Sequence, residues 1–240
     1  MFRDLLESFI FNAFPLKCVG CNNFVERTRL GNSCSECWDK VRKFGNGETI
    51  CEKCGKLLSL SGIRSARNCN DCSEMHFDTA RAAAFYEAAV SATVLAMKKE
   101  PHFPAAAKRL FLFGFNRSQI LKPDLIIPVP LSRKRQFERG FNQAEILAKF
   151  LATEIGVSLD TQSLCRIVHS PLHRAGMDRI AREASVKDAF KVLRPKLIEN
   201  RRTLLIDDVL TTGVSASYCA ATLKKAGAAR VDVFTFSRAV

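Results

Sequence analysis

A chain of 240 residues, 47% of them hydrophobic, can bury one substantial core plus a small second unit; it has no uncharged apolar run of the about eighteen residues that a membrane-spanning helix needs. The formal net charge of +13 excludes an acidic, solvating chain, and it is unevenly spread: residues 1–78 carry 11 Lys+Arg against 10 Asp+Glu, and residues 79–240 carry 26 against 14. Any polyanion site therefore belongs after residue 78.

At the start of the chain, Phe2, Leu5, Leu6, Phe9, Ile10 and Ala13 recur at helical spacing, with Asp4 and Glu7 inside the pattern and no small-residue cleavage site. This predicts an amphipathic helix packed on the body of the protein rather than a signal peptide. Ten cysteines without a secretory signal point to a reducing compartment, hence a cytoplasmic protein. Eight of the ten form four Cys-x-x-Cys pairs, Cys18/Cys21, Cys34/Cys37, Cys51/Cys54 and Cys69/Cys72, separated by 12, 13 and 14 residues. Two cysteines three apart wrap one ion, and a second pair completes a tetrahedral S₄ shell, so the spacing predicts two structural Zn²⁺ sites. Sequential pairing is favoured, although an interleaved arrangement fits the same spacings. Gly20, Gly31, Gly55 and Gly62 supply the tight turns. With so little aliphatic core, metal is what makes this part fold. Cys165 and Cys219 have no such partners and read as buried apolar residues.

A composition change near residues 76–78 divides the chain into a zinc-ribbon module over 1–78 and a second domain over 79–240. In the latter, Arg81–Tyr86 reads as a strand and Ala88–Lys98 as a helix, and Pro104 takes the first helical position ahead of a helix over 105–117. Leu125–Val129 is a buried strand and Asn142–Glu154 a helix that Asn142 can cap. Thr203–Ile206 is a second buried strand, Ser215–Lys225 its helix, and Arg230–Phe236 a third strand. The alternation predicts an α/β fold, a parallel sheet flanked by helices.

The strongest functional signal is Asp207-Asp208 followed by Thr211-Thr212-Gly213 and Ser215, at the end of that second buried strand. Ligands of parallel sheets bind beyond the carboxyl ends of the strands, and a helix N-terminus offers free N–H groups and a positive dipole to a phosphate. Thr211, Thr212 and Ser215 add hydroxyls, Gly213 lets the backbone approach closely, and the two carboxylates can take sugar hydroxyls or a hydrated Mg²⁺. Residues 133–139 hold four cations against one carboxylate directly after a buried strand, and guanidinium groups match pyrophosphate oxygens in bidentate fashion.

The Asp-Asp/Thr-Thr-Gly stretch resembles the signature of type I phosphoribosyltransferases that binds 5-phosphoribosyl-1-pyrophosphate (PRPP). Together with Pro128-Val129-Pro130-Leu131, the run Arg139 to Ala144 and the four Cys-x-x-Cys pairs, it resembles the ComF/GntX family of competence proteins linked to DNA uptake, over nearly the whole chain. The resemblance implies that Asp207 and Asp208 contact the ribose and Mg²⁺. It implies that Val209, Leu210, Thr211, Thr212, Gly213, Val214 and Ser215 form the 5′-phosphate loop, and that Ser132, Arg133 and Lys134 form a pyrophosphate loop. Residues 170–190 are similar to the mobile loop that closes over PRPP, with Arg139, Arg174, Arg179 and Arg182 as its candidate cations and His169 and His173 as its only near-neutral titratable groups.

The chemistry that the resemblance implies is transfer at ribose C1 with loss of pyrophosphate, with the zinc module as a hood that selects an acceptor the sequence does not name. The rival is a protein without catalysis that senses PRPP or acts as a scaffold in DNA uptake, through single-stranded DNA or a helicase partner. Against the rival stand the nearly neutral zinc module and the aromatic residues, 18 Phe, 2 Tyr and 1 Trp, which fall mostly inside apolar runs rather than in a basic-aromatic stripe.

Overall fold

The computed structural model describes residues 15–44, 49–58, 69–168 and 188–239. The expected N-terminal helix, Gly62, His169, His173, Arg174, Arg179 and Arg182 lie outside these residues.

Five parallel strands form the central sheet in the order β1-β7-β6-β2-β3. They are β1 (Thr79–Phe85), β2 (Leu125–Pro128), β3 (Ser158–Leu159), β6 (Arg202–Leu210) and β7 (Arg230–Arg238). A separate two-stranded antiparallel ribbon pairs β4 (Leu164–Arg166) with β5 (Phe190–Val192). The α/β reading holds. β3, β4 and β5 were not legible in the sequence, because two or three residues are too few to show a period of two.

Alternation along the strands splits the sheet's side chains between two cores. Ile126, Leu204, Ile206, Phe234 and Phe236 face one side, where they meet α2 (Ala88–Met97), α3 (Ala105–Arg117) and α5 (Gln143–Ile155). Leu125, Ile127, Leu205, Val231 and Val233 face the other, against α6 (Val214–Lys225) and the ribbon. Strands covered on both faces need near-continuous apolar runs, which is why 125–129 and 203–206 were readable as buried strands.

The Cys-rich segment wraps the β1 edge. Cys18, Cys34 and Cys37, the last on the short helix α1 (Ser35–Asp39), join the first core, whereas Cys51, Cys54 and Cys72 join the second. The Ala80 N–H donates to the Lys53 carbonyl at 2.7 Å, that of Phe85 donates to the Arg42 carbonyl at 3.1 Å, and the Phe44 and Phe85 rings stack at 4.1 Å. An open parallel edge would otherwise present unpaired backbone groups to other chains.

Three local expectations need correction. Pro104 is the N-cap of α3 rather than its first helical residue, since its extended ψ of 154° lies outside the helix. The cationic run is not a loop but a helix, α4 (Arg133–Arg139), capped by Ser132, whose hydroxyl accepts from the Arg135 N–H at 3.4 Å. Cys165 is half-buried and its thiol donates to the Lys191 carbonyl at 3.4 Å, whereas Cys219 is fully buried as expected.

Candidate functional site

At the carboxyl ends of β2 and β6, the central strands of the sheet, lies a cleft of about 580 Å³. Residues 207–216 form one wall and Tyr86 and Lys98 lie on its rim; Pro130, Leu131 and α4 and α5 residues close the other side, with Arg166 of the ribbon. Such crevices in parallel sheets are where ligands bind.

The wall is built by the acidic end of β6 and the turn that follows it. β6 does not stop before the acidic pair but runs on to Leu210, paired with β7 so that Asp207 lies opposite Thr235 and Leu210 opposite Arg238. The Asp208 N–H donates to Asp207 Oδ1 at 2.9 Å, and the Val209 N–H to Asp208 Oδ1 at 2.7 Å. These short bonds hold both carboxyls at the cleft. Burial, and then the charge of Asp208, push the Asp207 carboxyl well above the usual carboxylate range. Burial, followed by the Asp208 charge, also raises the Tyr86 phenol.

After Leu210 the chain turns through Thr211 and Thr212, and Gly213 takes a left-handed φ of 78° as the N-cap of α6. No side chain caps that helix. Its first-turn N–H groups, at Val214, Ser215 and Ala216, thus face the cleft with the positive end of a twelve-residue helix dipole behind them. A phosphate group fits this seat.

Across the cleft stand the cations. Arg135 and Arg139 of α4 line it, and so do Lys98 and Arg166, while Arg133 and Lys134 are exposed and absent from its lining. Arg139 is aimed by α5: its Nη1 donates to Gln143 Oε1 at 3.0 Å, and Gln143 is held in turn by donating to the Met97 carbonyl at 3.2 Å. Asn142 caps α5 as expected, accepting from the Ala144 N–H at 3.1 Å and donating to the Val129 carbonyl at 3.0 Å, which ties the helix start to the end of β2.

Arg166 carries the clearest electrostatic signal. It is 8% exposed, its Nε donates to the Val168 carbonyl at 3.2 Å, and its Nη2 is buried without a hydrogen-bond partner among the described residues. Burial first, and nearby Arg135 second, pull its pKa below the ordinary guanidinium value; burial and then Arg139 do the same to Arg135. A buried cation flanked by like charge and lacking a full set of acceptors is unfavourable unless an anion joins it. The ribbon holding Arg166 is braced by Asp160, whose Oδ1 accepts from Arg194 Nη2 at 2.6 Å and from the Ser163 N–H at 3.0 Å. Sequence reasoning included Arg135 only within the run 133–139, and it missed Lys98, Arg166 and Tyr86 as site residues. Those three are single residues brought in from distant segments.

The eight paired cysteines form two clusters, Cys18/Cys21/Cys34/Cys37 and Cys51/Cys54/Cys69/Cys72, the ligand atoms of each lying within 4.8 Å of one another. Sequential pairing is therefore the one adopted. The Cys21–Cys34, Cys51–Cys72 and Cys54–Cys69 sulfurs are each 3.5 Å apart, near the about 3.8 Å edge of a tetrahedron with 2.3 Å Zn–S bonds. Two Cys₄ zinc sites fit. None of the described residues of this segment is among those that line the cleft.

Residues 10–73 match the double zinc ribbon domain family. Competence protein F of Haemophilus influenzae is 28% identical over 242 residues, covering 96% of this chain and 100% of that protein. DNA utilization protein YhgH of Salmonella typhimurium is 29% identical, covering 85% of this chain and 89% of that one. Among solved structures, glutamine phosphoribosylpyrophosphate amidotransferase from B. subtilis, complexed with ADP and GMP, is similar with a TM-score of 0.36 and 16% identity, over 53% of this chain and a quarter (25%) of the other. No helix among the described residues is long and apolar enough to cross a membrane.

Proposed function

We propose that the chain, which matches the double zinc ribbon family over residues 10–73 and is 28% identical to Competence protein F, is a ComF-type protein that binds PRPP with Mg²⁺ in this cleft and lets an acceptor nucleophile replace pyrophosphate at ribose C1. The observation carrying the reading is the joint placement of Asp207, Asp208 and the Thr211–Ser215 turn at the end of a central strand, facing Arg135, Arg139 and Arg166. In this reading Thr211, Thr212, Ser215 and the α6 N–H groups hold the 5′-phosphate, and Asp207 and Asp208 accept the ribose hydroxyls. Asp207 and Asp208 would also hold a hydrated Mg²⁺ bound with the substrate, which would supply charge neutralisation on the pyrophosphate. Arg135, Arg139 and Arg166 hold that same group, stabilising the charge that develops as the C1–O bond breaks. Few acid or base groups are required, because such catalysis is mostly positioning and electrostatics.

The test is calorimetric titration with PRPP and Mg²⁺, followed by pyrophosphate release in the presence of candidate nucleobases. Wild type that binds neither PRPP nor ribose 5-phosphate would refute the reading. Arg166→Gln and Arg135→Gln should each weaken PRPP about tenfold or more, through loss of a charge-assisted contact, and leave ribose 5-phosphate nearly unchanged. The double change Arg133→Ala with Lys134→Ala should have the smaller effect. Equal losses for both ligands in the Arg166 variant would remove that residue from the pyrophosphate end.

One observation favours the reading without catalysis. Phe137, 92% exposed, lies on α4, the helix that carries Arg133, Lys134 and Arg139. An exposed ring on a cationic helix suits base stacking by single-stranded nucleic acid, a feature that the aromatic residues had not revealed as a sequence pattern. PRPP binding without turnover for any acceptor, together with single-stranded DNA binding lost in Phe137→Ala, would support a PRPP-sensing protein of DNA uptake.

A further inference from the structure

The two Cys₄ clusters are equivalent in sequence but not in position. The first lies in the core on the α2/α3/α5 side of the sheet, and the second lies on the α6 side, the side of the Thr-Thr-Gly turn. The first segment is tied elsewhere: Asn32 Nδ2 donates to the Ala92 carbonyl at 3.2 Å, and Arg42 donates from Nε and Nη2 to the Glu87 carboxylate at 2.7 Å.

The second cluster reaches that turn by two routes. Arg238, the last residue of β7 and nearly fully buried, donates from Nη1 to the Cys54 carbonyl at 2.5 Å and sets Nη2 3.8 Å from Cys54 Sγ. It is paired in register with Leu210, and the next N–H, that of Ala239, donates to the Leu210 carbonyl at 3.1 Å. The residue that opens the turn is thus tied through β7 to a zinc ligand. The other route is the chain leaving Cys72. The Met75 N–H donates to the Cys72 carbonyl at 3.1 Å, the His76 N–H donates to Ser217 Oγ in α6 at 3.0 Å, and the buried Phe77 ring lies 3.6 Å from where a Cβ on Gly213 would stand. The knuckle itself is pressed against β1: a Cβ on Gly55, whose φ is 69°, would come within 2.9 Å of the Ala80 carbonyl oxygen. Nothing in this arrangement allows Cys54 or Cys72 to shift without moving Arg238 or Phe77, because cores packed this closely transmit small displacements.

We infer that the second Cys₄ site positions the Thr-Thr-Gly turn, so that zinc held by Cys51, Cys54, Cys69 and Cys72 and a sugar phosphate held at residues 211–215 strengthen each other, while the first site is independent. Arg238 and Phe77 are the positioning residues. The inference takes its ligand from the function proposed above. Coupling between two binding events is reciprocal, so a phosphate that gains from the ordered turn must tighten the metal by the same factor.

The test uses the full-length, zinc-loaded wild-type protein with ribose 5-phosphate as probe. A chromogenic chelator monitors zinc release, while alkylation of newly exposed thiols, read by peptide mass spectrometry, identifies which cluster opened. Saturating ribose 5-phosphate should slow release and alkylation at Cys51, Cys54, Cys69 and Cys72 about tenfold, within the usual span of site-to-site coupling, and leave Cys18, Cys21, Cys34 and Cys37 unchanged. Arg238→Gln should still bind two zinc ions, bind ribose 5-phosphate more weakly, and lose the selective protection, with part of it restored in Arg238→Lys. Ribose 5-phosphate that binds but protects neither cluster, or both equally, overturns the coupling and leaves the proposed function standing. Absence of any ribose 5-phosphate binding by wild type overturns that function and the coupling with it.

Discussion

Replacing Asp207 and Asp208 together by Asn should abolish PRPP binding while leaving the fold intact or more stable. If the two carboxylates accept ribose hydroxyls and hold hydrated Mg²⁺, their neutral isosteres forfeit several charge-assisted bonds of about 1.5–3 kcal/mol each, or at least about two to three orders of magnitude in affinity. Stability should move the opposite way, for a reason that carries a pH signature. Burial, and then the Asp208 charge, raise the pKa of Asp207, so the ligand-free fold holds a proton that the unfolded chain releases. The associated stability is present below the ordinary carboxylate pKa and is lost as pH rises from there through the raised folded value. Asparagine has no proton to lose, so the margin by which the variant's melting temperature exceeds that of wild type should widen across that window. PRPP affinity of the wild type should rise across the same window, because the ligand requires the ionised pair. Calorimetric titration beside thermal melts at several pH values tests both halves. A variant that binds PRPP normally removes the pair from the site, and one that melts well below wild type makes the pair structural.

Removing zinc should have the largest effect on folding. Metal analysis is expected to find close to two Zn²⁺ per chain, one for each Cys₄ cluster. A structural zinc site contributes roughly 10–16 kcal/mol of apparent binding energy, comparable to the whole stability of a domain at about 5–15 kcal/mol. Cys18, Cys34 and Cys37 sit in the core shared with α2, α3 and α5, and Cys51, Cys54 and Cys72 in that shared with α6. Chelation should therefore collapse the cooperative melt of the entire chain rather than loosen an appendage. Cys34→Ser should bind close to one zinc and melt far below wild type. A zinc-free protein with an unchanged melting curve would show the clusters to be dispensable to the fold.

Much of this protein could be read directly from the chain. Residues 125–129 and 204–206 are short apolar runs, as strands covered on both faces favour, and the Cys-x-x-Cys spacing is itself the geometry of a metal knuckle. Asp207 through Ser215 is contiguous, so strand end, turn and helix start are written consecutively, and the phosphate-binding chemistry is local. Asn142 was recognisable as a cap for the same reason: capping involves only the next few residues.

Tertiary structure decided what depends on distant segments meeting. The four thiol pairs fit either pairing by spacing, and only folding around the β1 edge joined consecutive pairs and placed them on opposite faces of the sheet. In the cationic run, charge composition is the same whether it forms a loop or a helix; α4 alone determines that Arg135 and Arg139 line the cleft while Arg133, Lys134 and Phe137 are exposed to solvent. Arg166, in a three-residue strand too short to announce itself, reaches the site because its ribbon docks beside α4, with Ser132 and Arg166 bridged in parallel. The burial of its guanidinium beside Arg135 is a property of that docking, since desolvation and like-charge proximity exist only once segments far apart in the chain share one space.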